Sequence, residues 1–230
     1  LMKNIIKLSL PTVLFFFFCA GCAEVRNSNE VPVDVEIETA PSLDEVTAVS
    51  NPGNDTSPNY TFSSTEIGTI SYGGSCSAGI TTTIVGSNTI TLNALSEGTY
   101  SDCTIIVTDT FGNVSDTLSL TSFEIDTTSP TAAEVTAVTH PTNDTTPDYT
   151  FSSDEAVTIT YGGSCSSSTT SATSGNNTVA LKGSSSDTLT DNTTYTDCTI
   201  TVTDEAGNVS SSITITEFTV DTTASTLIEV

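Results

Sequence analysis

The stretch YTDCTITVTDEAGNVS, residues 195–210, has a near-copy in YSDCTIIVTDTFGNVS, residues 100–115. From the cysteine onward, alternate residues are apolar: Cys198, Ile200 and Val202 in one, Cys103, Ile105 and Val107 in the other. Thr fills most of the positions between them. A period of two sets one face of a strand in a core and the other in water. A tight turn follows at 204–208 and 109–113. Gly207 and Gly112 accept positive φ there, and Asn tolerates it. Each copy therefore reads as one strand ending in a turn.

Both copies sit inside a longer internal repeat. EVTAV at 45–49 recurs at 134–138, YTFSS at 60–64 recurs at 149–153, and YGGSCS at 72–77 recurs at 161–166, all at an offset of 89. Cys103 and Cys198, like Phe123 and Phe218, stand at an offset of 95. The second copy has thus gained six residues between Asn177 and Tyr195. This stretch is expected to be a surface loop, which absorbs an insertion cheaply. VDTTASTLIEV at 220–230 repeats IDTTSPTAAEV at 125–135, so 222–230 reads as the start of a truncated third repeat.

Seven short strands are expected in the first unit, near 45–50, 59–64, 67–73, 80–85, 88–93, 100–108 and 114–125. Turn residues separate them, among them Asn51-Pro52-Gly53-Asn54 and Gly112-Asn113. No segment keeps a helical period. The fold class is all-β: tandem immunoglobulin-like sandwiches of about seven strands each, at 41–126 and 127–221.

Charge limits the partners. The chain has 28 acidic and 4 basic residues, a formal charge of −24. Nucleic acid is excluded, since its phosphates need a basic patch, and docking onto anionic lipid is disfavoured.

Residues 2–22, MKNIIKLSLPTVLFFFFCAGC, carry Lys3 and Lys7 before an apolar run through Phe15–Phe18. This layout is an export signal at 1–21 followed by a polar, acidic tether at 22–40. Cys19-Ala20-Gly21-Cys22 resembles the lipobox of bacterial lipoproteins, with Cys19 where an aliphatic residue is usual. The resemblance implies cleavage before Cys22 and lipid on Cys22. Ala23 in place of Asp implies sorting to the outer membrane. An ordinary cleaved signal, giving a free secreted protein, is the alternative.

The repeat region resembles the bacterial Ig-like domains of adhesin-type surface proteins. The motifs are the linker DTTSP at 126–130, NDTTPDYTF at 143–151, Gly98-Thr99-Tyr100, and the TDxxGNxS turns at 108–115 and 203–210. Tyr100 and Tyr195 stand where such sandwiches carry a tyrosine corner. The resemblance implies a non-catalytic stalk or adhesion module on the cell surface. Its membrane contact would be the lipid anchor, and its partner a host or cell-surface protein or glycan. A binding or spacer module of a larger surface enzyme and a periplasmic structural lipoprotein are the alternatives.

Apart from Cys19 and Cys22, four cysteines remain, two in each unit. Each unit must fold alone, so Cys76–Cys103 and Cys165–Cys198 are the natural disulfides of an exported chain; buried free thiols are the alternative. Two Cys without a nearby His make a poor zinc set. The single His, His140, stands where the first copy has Asn51, so the repeat does not require it. No Ser-His-Asp or Cys-His set recurs with the units, and no enzyme activity is expected. Calcium is the candidate cofactor. The loop after the first strand and the turn between the sixth and seventh lie at opposite ends of a sandwich. Asp55 and Asp126 of the first unit would then face Glu155, Asp204 and Asn208 of the second, an oxygen-rich set suited to Ca²⁺. Adhesin-type domains stiffen their junctions in this way.

Overall fold

The computed structural model describes residues 39–224; the signal, Cys22 and residues 225–230 lie outside them. Every regular element among the described residues is a strand.

The first unit contains β1 (Leu43–Thr47), β2 (Asn59–Ser64), β3 (Gly68–Gly73), β4 (Thr82–Thr83), β5 (Gly86–Thr91), β6 (Gly98–Tyr100), β7 (Thr104–Asp109), β8 (Leu118–Ser119) and β9 (Phe123–Ile125). One sheet has the order β1-β2-β5 and the other β4-β3-β7-β8, with β6 paired to β9. All of these pairings are antiparallel. This is an immunoglobulin-like sandwich. The sixth and seventh expected strands are each split in two. Across the gap their pairing continues through a bond from the Leu120 N–H to the Cys103 carbonyl, 3.0 Å.

The second unit repeats the plan with β10 (Ala132–Thr136), β11 (Asp148–Ser153), β12 (Val157–Gly162), β13 (Cys165–Ser166), β14 (Ser171–Ala172), β15 (Gly175–Ala180), β16 (Lys182–Gly183), β17 (Thr193–Tyr195), β18 (Thr199–Thr203), β19 (Ile213–Thr214) and β20 (Phe218–Val220). Its sheets are β10-β11-β15 and β14-β12-β18-β19, with β17 paired to β20.

The period of two reaches the core as expected. Tyr60, Phe62 and Ser64 of β2 point inward, while Asn59, Thr61 and Ser63 do not. Ile105 and Val107 meet them from the facing sheet, and Tyr149, Phe151, Ile200 and Val202 do the same in the second unit. EVTAV departs from plain alternation. A bulge between Glu45 and Thr47 leaves Val46 exposed. The Glu45 carboxylate meanwhile accepts the Thr121 N–H at 3.0 Å and its hydroxyl at 2.7 Å. Glu134 and Thr216 repeat this lock at 2.9 and 2.6 Å.

Cys76 is bonded to Cys103 and Cys165 to Cys198, each with a Cα–Cα distance of 5.2 Å. Each bridge ties the chain just beyond the third strand to the start of β7 or β18. The glycine before it is obligatory. Gly74 has φ 70°, and a Cβ there would lie 2.0 Å from the Asp102 carbonyl oxygen. Gly163 repeats this against Asp197. Tyr100 makes the expected corner, donating to the Ser96 carbonyl at 2.8 Å. In the second unit the polarity reverses: the Thr190 N–H donates to the Tyr195 hydroxyl at 2.8 Å.

The insertion is not a plain surface loop. The offset between copies is 89 at Leu92/Leu181, 94 at Leu95/Leu189 and 95 at Tyr100/Tyr195. Leu95 and Leu189 are equivalent because their N–H groups donate to the Thr56 and Thr145 carbonyls, both at 2.8 Å. Five residues therefore enter before Leu189 and one after it. Leu189 itself is buried in the core. Just after Leu181, Lys182–Gly183 pairs as β16 with Cys165–Ser166 of β13, beside the disulfide.

Candidate functional site

The turn after β18 is held by its own aspartate. Asp204 Oδ1 accepts the N–H groups of Gly207 at 2.7 Å and Asn208 at 2.8 Å. Asn208 Nδ2 returns a bond to Asp204 Oδ2 at 2.9 Å. A carboxylate satisfies turn N–H groups that the ladder cannot reach. Asp109 builds the matching turn after β7 with Phe111 N, Asn113 N and Asn113 Nδ2, all at 2.8 Å. Burial alone would raise the Asp109 pKa, but the hydrogen bonds from Asn113, Phe111 and Gly112 outweigh it and hold the carboxyl below its usual range. The serine that ends each motif is structural. Ser115 Oγ accepts the Val107 N–H at 3.0 Å and donates to the Asp116 carbonyl at 2.8 Å. Ser210 does the same with Val202 and Ser211.

The 204–208 turn meets the first unit. Asn208 Nδ2 also donates to the Asp126 carbonyl at 2.9 Å. Gly207 lies against Asn54; a Cβ on it would stand 3.4 Å from Asn54 Nδ2. Asn54 reaches this end because Gly53 pairs in parallel with Ile125 of β9. The joint is thus one unit's turn seated on the other's last strand and first loop.

Acidic side chains gather around it, and among the described residues no Lys or Arg is paired with them. Glu155 has its pKa raised, first by burial and then by the charges of Asp204, Asp154 and Asp126. Asp154 is held low by bonds from the Thr131 hydroxyl and N–H. The one Lys or Arg among the described residues, Lys182, pairs with Asp187 at 3.9 Å.

Four of the five residues expected to hold calcium, Asp55, Asp126, Asp204 and Asn208, make local hydrogen bonds, and Glu155 stands among the charges of Asp204, Asp154 and Asp126. Ca²⁺ needs six to eight oxygens about 2.3–2.6 Å away. Asp204 spends both oxygens on its turn, and Asn208 turns its amide nitrogen, a donor, toward Asp126. Asp55 caps its own loop through the Ser57 N–H at 2.9 Å, and Asp126 caps the Thr128 N–H at 3.0 Å. Among the described residues, no group of three or more His, Cys, Asp or Glu is placed to hold a metal ion.

His140 has a structural task that its lack of repetition conceals. Its Nδ1 accepts the Thr219 N–H at 3.0 Å, and in the first unit Asn51 Oδ1 accepts the Glu124 N–H at 2.9 Å. Different side chains present one acceptor at one point. Two shallow clefts open beside Ala40–Leu43 and beside Thr131–Ala133. Their titratable lining residues are Asp116 in one and Asp154 in the other.

No family model matches the chain, and no curated protein matches it. Among solved structures it is similar to the fibronectin(III)-like modules of Clostridium thermocellum CbhA. That match has 11% identity and a TM-score of 0.44, and it covers 78% of this chain and 94% of that one. The sandwich assignment rests on the strand pairing itself.

Proposed function

We propose that the chain is a non-catalytic, lipid-anchored bacterial surface protein whose tandem Ig-like units serve as a stalk or adhesion module. The joint carries this reading: a turn present in both units grips, in the second, the end of the first through the Asn208–Asp126 bond. Such a contact can be repeated along an array, each unit touching only its neighbours. The two disulfides are those of an exported protein. The acidic surface keeps the rod soluble and turns away nucleic acid. Cys22 would carry the anchor, and a host or cell-surface protein or glycan would be the partner.

Palmitate labelling of the wild type and a Cys22→Ser variant tests the anchor, and protease shaving of whole cells tests the location. Label lost in the variant, with shaving that removes the units, supports the reading. Labelled protein that resists shaving on intact cells but is cut after permeabilisation overturns the surface role. Because the junction acids are already spent on local N–H groups, we expect the same melting temperature in calcium and in chelator.

A further inference from the structure

The end of the first unit where the chain enters carries apolar side chains that the same end of the second unit lacks. Ser64 pairs with both Leu43 and Gly86, while Gly68 pairs with both Thr83 and Asp109. The connections 65–67, 84–85 and 110–114 therefore meet at one pole, beside the start of β1. The entering chain is tied there through Ser42 N to Thr65 Oγ1 at 2.9 Å. Each connection displays an exposed hydrophobe: Ile67 at 54%, Ile84 at 63%, Val85 at 65% and Phe111 at 71%. The repeat puts Ala156, Thr173, Ser174 and Ala206 at these places in the second unit. Thr173 and Ser174 are open to water as well, so exposure alone does not explain the difference.

We infer that Ile67, Ile84, Val85 and Phe111 form a crown that seats the first unit on the lipid bilayer holding the anchor; this rests on the anchored reading of Cys22. Sixteen residues, 23–38, separate Cys22 from the described chain, which begins at this pole. Fully extended they reach about 55 Å and in any looser state less, so the crown is the part of the fold held closest to the membrane. Grouped exposed hydrophobes mark contact surfaces, and at a tethered pole the nearest apolar medium is the bilayer. Attraction to anionic headgroups is not the cause. Among the described residues the one Lys or Arg is Lys182, in the second unit, and Glu66 lies within the crown's own connection. The contact is apolar, between side chains and the acyl boundary of a neutral lipid surface. It would hold the rod upright and limit its tilt.

The chain has no Trp, so one introduced indole reports alone. Phe111→Trp and, as a control, Thr173→Trp would be made in the chain that starts at Cys22 and anchored in phosphatidylcholine vesicles containing brominated lipid. The crown predicts that the indole of Phe111→Trp is blue-shifted and loses about half its emission or more, while that of Thr173→Trp is unaffected. Adding Ile84→Thr and Val85→Ser copies the second unit's residues onto the first, so the fold is kept, and the quenching should fall. Equal emission from the two variants in anchored protein overturns the crown and leaves the anchor standing. Absence of palmitate on Cys22 overturns the anchored reading instead. The crown is then judged with the Cys22 thiol coupled to a maleimide lipid, where unquenched emission from Phe111→Trp overturns it too.

Discussion

Asp109–Asn113 and Asp204–Asn208 share one Asp-to-Asn frame, yet they face different surroundings. Asn208 spends its second amide hydrogen on the Asp126 carbonyl and is buried. Among the described residues Asn113 Nδ2 has one partner, Asp109, and Asn113 stays half-buried. At the tip, Phe111 is exposed where Ala206 is half-buried. One turn is a joint between units and the other is an end. The same local sequence therefore does two jobs, and its neighbour decides which.

The largest expected effect tests whether the units are energetically alike beneath this difference. The bridges span 27 and 33 residues. In the chain-entropy model each contributes roughly 3–4 kcal/mol, and the two differ by only about 0.2 kcal/mol. Paired Cys→Ala variants of either bridge should lower the melting of their own unit by nearly the same amount, read as separate calorimetric transitions. A much larger loss in one unit would show that the comparison of turns rests on unequal scaffolds.

Next come the serines behind the turns. Ser115→Ala and Ser210→Ala each strip a buried strand N–H, of Val107 and Val202, of its acceptor. An unsatisfied buried donor costs about 1–3 kcal/mol. Denaturant unfolding should show equal losses, because this part of the motif lies inside each unit and does not sense the joint.

The joint itself gives a smaller difference. Asn113→Ala and Asn208→Ala both remove the amide bond to the turn aspartate, but only the second removes the bond to Asp126. Asn208→Ala should therefore cost about 0.5–1.5 kcal/mol more. Small-angle scattering should then detect a wider spread of angles between units in that variant. Equal costs and unchanged scattering would reduce the Asn208 contact to an incidental touch.

Much of this was legible in the residues alone. The alternation at 103–107 and 198–202 located the core strands because a period of two has one physical reading in a half-buried sheet. Repetition then placed the remaining strands and paired the cysteines. It also brought Asp204–Asn208 to the junction, since strand order determines which loops share an end. The calcium proposal lies at a finer scale. Composition counts oxygens, but not the N–H groups bonded to them, such as that of Ser57 on Asp55. Leu189 was hidden inside a polar insertion whose five extra residues precede it. The crown was written in the differences between copies, Phe111 for Ala206 and Ile84 for Thr173. Those differences gained meaning only when three distant connections met at one pole.

His140 gives the smallest effect. A single histidine in an exported chain invites a chemical role, yet its Nδ1 does for the Thr219 N–H what Asn51 Oδ1 does for Glu124. If one acceptor at that point is all the fold requires, His140→Asn should change stability by less than about 0.5 kcal/mol, like an ordinary surface exchange. His140→Ala, which offers no acceptor, should cost about 1 kcal/mol. Thermal unfolding of both variants checks the pair. Asn behaving as badly as Ala would mean that the imidazole does something the first unit does not need. The likeness between the two units would then end at this loop as well as at their poles.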